Sequence, residues 1–158
     1  MRPVRGNVDT RVRKWQEGQY DALVLALAGL KRAGLEHLAR VIPAEIMLPA
    51  AGQGALCVEV RSDDDSLLEQ IALLDDQETR AAVIAERAFL EAAGGGCNLP
   101  IGVYGEVRGG VLHLAGRIVQ EQSCSAVEGT ESGAVAEAET IGRRLGERII
   151  KRQQAIKK

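Results

Sequence analysis

The segment Asp21-Ala-Leu-Val-Leu-Ala-Leu27, which is apolar after its first residue, limits most strongly what this sequence can fold into. Its length suits a β-strand, and a strand that is apolar on both faces is typical of a parallel sheet covered by helices. Residues 2–5 are expected to end a preceding strand, and Asn7 is placed to cap a helix that runs to about Glu17. A second helix is expected over about residues 30–41. The order of strand, helix, strand and helix predicts a partial βαβ parallel-sheet unit of the α/β class.

Such a unit is too small to form a stable sheet, because two strands leave both sheet edges unpaired. We therefore expect residues 1–47 to be the latter half of an α/β domain whose other strands precede Met1. Residues 48–74 contain a glycine-rich loop, Leu48-Pro-Ala-Ala-Gly-Gln-Gly54, followed by a strand pattern over 55–60. This region is expected to be a crossover strand and linker.

The remaining residues, 75–158, predict a small α+β domain. Apolar residues recur there at helical spacing in two places, and two alternating patterns flank the glycine turn Arg108-Gly109-Gly110, which predicts a β-hairpin. We expect a three-stranded antiparallel sheet with helices. The predicted elements are a helix over about 77–92, strands over 101–107, 111–119 and near 122–128, and a final helix over about 133–152.

The overall charge and composition exclude several classes of partner. The 158 residues carry a net charge of −2 and contain only 3% aromatic residues. Proteins that bind nucleic acid need a basic excess or aromatic platforms for base stacking, so no nucleic-acid partner is expected. No apolar run reaches the ~20 residues that cross a bilayer, so no membrane partner is expected either.

The cysteines indicate the compartment. The sequence contains three widely spaced cysteines, Cys57, Cys97 and Cys124. An odd number at such spacing does not predict a disulfide framework, and the spacing does not fit a zinc-binding pattern. Free cysteines at such spacing are typical of a reducing compartment, so a cytoplasmic location is expected. No metal site is predicted.

A basic cluster is expected at one end of the predicted parallel sheet. Arg5 lies at the carboxyl end of the first predicted strand, Arg11 one turn into the following helix, and Arg32 past the end of the second strand. Ligands of parallel α/β sheets bind beyond the carboxyl ends of the strands, and guanidinium groups match carboxylate and phosphate groups. The arrangement predicts a site for a polyanion. The alternative is a set of surface ion pairs with Asp9, Glu17 or Glu36.

A second candidate site is Cys97, which follows three glycines in Gly94-Gly-Gly-Cys97 and precedes Pro100 by three residues. One interpretation is a turn at the end of a helix in which the small residue is a cysteine. The other is that the glycines clear space for a bulky group bonded to sulfur and allow the loop to move. The pattern alone leaves both open, and no Ser/His/Asp or Cys/His catalytic arrangement is readable in the sequence.

Three segments taken together resemble the hydroxymethylbilane synthase family, whose members are also called porphobilinogen deaminases. The segments are RGNVDTRVRKWQEGQYDALVLALAGLKRAGL, LPAAGQGALCVEVR and GGGCNLPIG, in the family's order and approximate spacing. The resemblance implies a three-domain transferase of tetrapyrrole, and hence porphyrin and heme, biosynthesis. Such an enzyme joins four porphobilinogen molecules head to tail into hydroxymethylbilane and releases ammonia. The resemblance also implies a dipyrromethane cofactor, attached to Cys97 through a thioether, that carries the growing chain.

The same resemblance implies binding roles for four further residues. Arg5, Arg11 and Arg32 would bind the acetate and propionate groups of the pyrroles or line the cleft, and Gln53 would contact substrate or cofactor from a hinge-side loop. On this basis residues 48–74 would return to the family's first domain, and residues 75–158 would be its third, cofactor-carrying domain.

The sequence also departs from the family. The family's catalytic aspartate has no match here, and neither does the N-terminal half in which it lies. We therefore expect a C-terminal fragment that is inactive alone and lacks an N-terminal half of the same enzyme, whose full-length members are expected to be monomers. The alternatives are a non-catalytic anion-binding α/β module and a half-enzyme that is completed by a separate N-terminal partner.

Overall fold

The computed structural model describes residues 2–95, 100–120 and 125–156. The chain divides into two compact units, Met1–Pro43 and Ala44–Lys158. Within the described ranges, none of the helices combines the length and the apolar character that crossing a bilayer requires.

The first unit is built on two helices, α1 (Val8–Gln16) and α2 (Leu27–Arg32), followed by one 3-10 turn at Glu36–Leu38. The first turn of α1 contacts α2, since a side chain on Gly29 would begin 3.2 Å from Val8 Cγ2. Side-chain hydrogen bonds tie the irregular segments to α1 and to each other; among them, Trp15 Nε1 donates to the carbonyl of Asp21, and Tyr20 Oη donates to the carbonyl of Pro3.

The predicted βαβ unit is not shown. Among residues 2–43 the structure assigns none to a strand, and α2 begins at Leu27, the last residue of the apolar run. The predicted helix over 30–41 is shorter and ends at Arg32, before Gly34. A strand exists only where a neighbour accepts its backbone hydrogen bonds, and Val24 in the apolar run is 64% exposed. The run therefore has the composition of a buried strand without the partners that would bury it.

The second unit begins with two helices, α3 (Asp65–Ala72) and α4 (Gln77–Ala92). Each starts at an aspartate that caps it, because the carboxylate of Asp64 accepts from the amide of Leu67 and that of Asp76 from the amide of Thr79. Residues 55–60 before α3, predicted as a strand, are also assigned to none. Isolated from a sheet, these residues expose their apolar side chains, with Leu56 95% exposed.

A three-stranded antiparallel sheet follows, as predicted, but its third strand extends six residues beyond the predicted 122–128, of which residues 122–124 lie outside the described residues. Its strands are β1 (Ile101–Arg108), β2 (Val111–Gln120) and β3 (Ser125–Ala134), in the order β1-β2-β3, with Tyr104 opposite Ala115 and Ala115 opposite Thr130. Gly109 and Gly110, both with positive φ, form the predicted hairpin turn. The 3-10 turn Val135–Glu137 leads into the last helix, α5 (Ala138–Ile156), which is placed a few residues later than predicted.

The core of the second unit lies between one face of this sheet and helices α4 and α5. Its largest fully buried side chains include Phe89 on α4, Leu114 on β2 and Leu145 on α5. The two helices approach closely at Gly142, where any side chain would overlap the carbonyl oxygen of Ala85. This layer fixes α4, whose end leads to the segment that contains Cys97.

Candidate functional site

The start of α1 brings two of the predicted site residues to one turn of the chain. Arg11 Nε donates a 2.7 Å hydrogen bond to the carbonyl of Gly6, so its side chain folds back over the turn that follows Arg5. Lys14 Nζ donates to the carbonyl of Arg5 at 3.2 Å. The guanidinium of Arg5 and the terminal nitrogens of Arg11 make no hydrogen bond within the described residues.

Arg32 lies in the last turn of α2 and is exposed. It follows Gly29 by three residues, and residues three apart share one face of a helix. Gly29 itself lies close to Val8 at the start of α1, whereas the buried residue of α2 is Leu30, so the side chain of Arg32 is directed mainly to solvent.

None of these three arginines is neutralised by a carboxylate in the part of the chain that the structure describes. Every ion pair found there lies in the second unit. Glu17, one of the carboxylates that the alternative interpretation required, accepts instead from Gln19 Nε2. Guanidinium groups without a counter-charge favour binding of anions.

A large cavity beside the sheet in the second unit offers a contrast. Its volume is about 1050 Å³, and it lies between residues 44–48 and the sheet face that α4 and α5 do not cover. Its three arginines are already paired: Arg117 with Glu128, Arg108 with Glu106 and Arg148 with Glu131. The cavity therefore offers little attraction for a polyanion.

Gln53 lies in a tight turn of the second unit. Its side-chain oxygen accepts from the amide of Ala50 at 3.1 Å, and its own amide donates to the carbonyl of Ala50 at 3.0 Å. The carboxamide NH2 group makes no hydrogen bond within the described residues, and the side chain is exposed. Gln53 therefore presents hydrogen-bond donors, which suit a carboxylate ligand.

One buried charged residue was missed by the sequence analysis. Glu86 on α4 is 6% exposed, and its carboxylate accepts from the amides of Gly52 and Gly105 at 2.6 and 2.8 Å. Burial raises the pKa of Glu86, and the two amide donors oppose that shift. The signal in the sequence was its position four residues after Ala82 and three before Phe89, both buried, which places a carboxylate on the apolar face of α4.

Cys97 lies outside the described residues, so its role stays a prediction, and only the residues on either side of it are described. On one side, α4 ends in a turn in which the amides of Gly94 and Gly95 donate to the carbonyls of Glu91 and Leu90. Both glycines have positive φ, which fits the predicted interruption of the helix. On the other side, the carbonyl of Pro100 accepts from Val119 at the start of β1.

Two family models match this sequence. The first, described as "Porphobilinogen deaminase, dipyromethane cofactor binding domain", matches residues 1–69, and the second, "Porphobilinogen deaminase, C-terminal domain", matches residues 80–151. The first range contains Arg5, Arg11, Arg32 and Gln53, whereas Cys97 lies in the second.

The chain is also similar to curated proteins named porphobilinogen deaminase. It is 45% identical over 148 residues to one from Roseiflexus sp. (strain RS-1), an alignment that covers 93% of this chain and 48% of the relative. Relatives from Syntrophus aciditrophicus and Nostoc sp. are each 43% identical, over 94% and 93% of this chain and 49% and 46% of their own lengths. The chain thus spans about half the length of the curated relatives it matches.

Proposed function

Because the chain belongs to the porphobilinogen deaminase family, we propose that it is part of a hydroxymethylbilane synthase. That transferase would join four porphobilinogen molecules into hydroxymethylbilane and release ammonia. The chain would contribute the residues that bind the acidic pyrrole chain and the cysteine that holds it.

One observation carries this proposal: Arg5, Arg11 and Arg32 have no carboxylate partner in the described part of the chain. Porphobilinogen and its oligomers carry acetate and propionate groups, and a guanidinium binds a carboxylate through two parallel hydrogen bonds. Arg11 lies on α1, Arg32 lies on α2, and Arg5 lies in the segment that precedes α1. Placed there, they can bind successive carboxylates of one oligopyrrole.

A dipyrromethane bound through Cys97 would supply the pyrrole end to which porphobilinogen units are added. The residues present fit such a group in their chemistry, because its carboxylates need donors and the described part of the first unit offers guanidinium groups without carboxylate partners. In the second unit the Gln53 carboxamide offers a further donor. The thiol of Cys97 acts as the point of attachment and takes no part in each addition.

The proton transfers of the reaction require an acid or base that this sequence does not supply at a matching motif. We therefore propose that activity needs the part of the full-length relatives that lies outside their alignment with this chain. The same portion would supply strands beside residues 2–5, 21–27 and 55–60, so that the partial βαβ unit forms. The exposed apolar side chains of Val24, Leu56 and Val58 support this proposal.

In that larger enzyme, residues 1–47 would be the latter half of the second domain, 48–74 a return segment to the first, and 75–158 the third domain. The complete enzyme would act as a monomer in the cytoplasm.

Mass spectrometry after reconstitution tests the proposal. The chain is mixed with the part of the Roseiflexus relative that it does not match, together with porphobilinogen, and the covalent adduct and the bilane product are measured. We expect an adduct on the peptide that contains Cys97, absent in Cys97→Ser and retained in Cys57→Ser, since Cys57 is an exposed free thiol elsewhere. A folded, reconstituted protein without an adduct would refute the cofactor role, and anion binding without an adduct would favour a non-catalytic module.

The arginines are tested in the same assay. We expect Arg5→Leu and Arg11→Leu to slow bilane formation at least about tenfold, because each loses a charge-assisted interaction of about 1.5–3 kcal/mol. Arg13→Leu on the same helix is the matched control and should react like the wild type. If Arg11→Leu matches Arg13→Leu in rate and only lowers the melting temperature, the ligand role is wrong.

A further inference from the structure

We propose that Glu86 is a positioning residue that fixes the turn Ala50–Gly54, and with it the Gln53 carboxamide, on the second unit. Only the role of Gln53 toward a carboxylate ligand rests on the proposed function. The attachment of the turn is a property of this chain's own contacts.

A single carboxylate joins three elements at this point. Glu86 projects from α4, and its two oxygens accept from Gly105 in β1 and from Gly52 in the turn. The absence of a side chain at Gly105 lets α4 approach β1, because a Cβ there would lie 3.1 Å from the carbonyl oxygen of Ala82. The carboxylate has no cation within ion-pairing distance among the described residues. The two amides are therefore its only charge-stabilising partners there.

The segment that leads into the turn lies along the open edge of β1. The amide of Val103 donates to the carbonyl of Pro49 at 2.8 Å, and Gly102 lies against Leu48, where a Cβ would come within 2.7 Å of Leu48 Cβ. Since β1 is an edge strand of the sheet, this segment covers an edge that would otherwise be free. The turn is thus attached once through Pro49 and a second time through Glu86.

The attachment determines where Gln53 presents its donors. The Gln53 oxygen is occupied by the amide of Ala50, so the NH2 group is the end left to bind a ligand. Without the bond from Gly52 to Glu86, the turn would keep the hydrogen bond at Pro49 and the packing of Ala51 against the core, and Gln53 lies beyond both points. A donor that must meet a carboxylate needs such support, because small displacements weaken a hydrogen bond steeply.

Amide hydrogen exchange measured by NMR on the full chain tests the inference without cofactor or substrate. In the wild type we expect the amide of Gly52 to exchange at least about fivefold more slowly than that of Gly54, which no hydrogen bond protects among the described residues. In Glu86→Met we expect this protection to fall by a similar factor, because the thioether has a similar length but is only a weak acceptor for the amide of Gly52. Amides of β2, such as that of Leu114, should keep their protection.

The matched control is Glu91→Met, which removes an exposed carboxylate from the same helix and should leave the exchange of Gly52 unchanged. Equal exchange of Gly52 in the wild type and in Glu86→Met would overturn the inference. So would a loss of protection that spreads equally to β2, since Glu86 would then stabilise the whole unit and not position the turn. The exchange experiment needs neither cofactor nor substrate, so its result does not depend on the reconstitution assay. Each of the two proposals can therefore be refuted while the other stands.

Discussion

At the scale of single residues, the buried carboxylate of Glu86 should make the stability of the second unit depend on pH. Its pKa in the folded state is raised by burial above the ordinary glutamate value of 4.5. The folded state therefore holds this proton more tightly than the unfolded state, so its contribution to stability falls as pH rises from 4.5 through the raised pKa. Glu86→Gln removes that dependence.

We expect the difference in free energy of unfolding between the wild type and Glu86→Gln to be larger near pH 4.5 than at neutral pH. At low pH the wild type buries an uncharged carboxyl group and so avoids the cost of burying a charge. The variant leaves one amide donor without an acceptor, which costs about 1–3 kcal/mol. Urea denaturation at several pH values measures this, with Glu91→Gln as the control for an exposed carboxylate. A difference that grows as pH rises would contradict the prediction.

Single residues also show where sequence reasoning stops. The grouping of Arg5, Arg11 and Arg32 stays a prediction, because the strand ends that placed Arg5 and Arg32 are not assigned among the described residues. Whether a carboxylate would neutralise them could not be predicted, since that depends on side chains brought together by folding. Glu86 was missed for the same reason: its partners, Gly52 and Gly105, are backbone amides 34 and 19 residues away.

At the scale of elements, the contact between α4 and α5 should be intolerant of even one methyl group. Replacing glycine by alanine inside a helix normally stabilises it by about 1 kcal/mol. At Gly142 the new methyl group would overlap the carbonyl oxygen of Ala85. We therefore expect Gly142→Ala to lower the free energy of unfolding by about 1–3 kcal/mol, the usual cost of overpacking a core.

Thermal denaturation followed by circular dichroism measures this effect. Thr140→Ala, an exposed substitution two residues earlier in α5, is the matched control and should be neutral or slightly stabilising. A melting temperature of Gly142→Ala equal to that of Thr140→Ala would show that the two helices can move apart at little cost.

Elements whose signals are local were predicted well. The hairpin, the antiparallel sheet and the start of α4 depend on a glycine turn, an alternating pattern and a capping aspartate, all within a few residues of the element. The strands expected at 2–5, 21–27 and 55–60 depend on neighbouring strands, and none pairs with these segments among the described residues. Their composition is that of buried strands, but composition cannot create a hydrogen-bonding partner.

At the scale of the whole molecule, the exposed apolar segment at 55–60 should affect association more than stability. Leu56 is 95% exposed, so Leu56→Ser should change the free energy of unfolding of this chain by less than about 0.5 kcal/mol. It should also reduce self-association, because an exposed apolar segment of strand length favours pairing between chains.

Light scattering and thermal denaturation measure the two effects. Leu114→Ala provides the contrast, because Leu114 is 1% exposed in the core and its truncation should cost about 2–5 kcal/mol. If Leu56→Ser destabilises the chain as much as Leu114→Ala does, residues 55–60 are buried in solution.

The close contact of α4 with its neighbours limits which residues can change as related sequences diverge. Leucine, isoleucine and valine can replace one another in the surrounding core with modest adjustment, but no side chain can be added at Gly142 or Gly146 without displacing the carbonyl of Ala85 or Phe89 on α4. In distant relatives whose apolar residues have all been exchanged, these two empty positions should therefore persist longest as a mark of common ancestry.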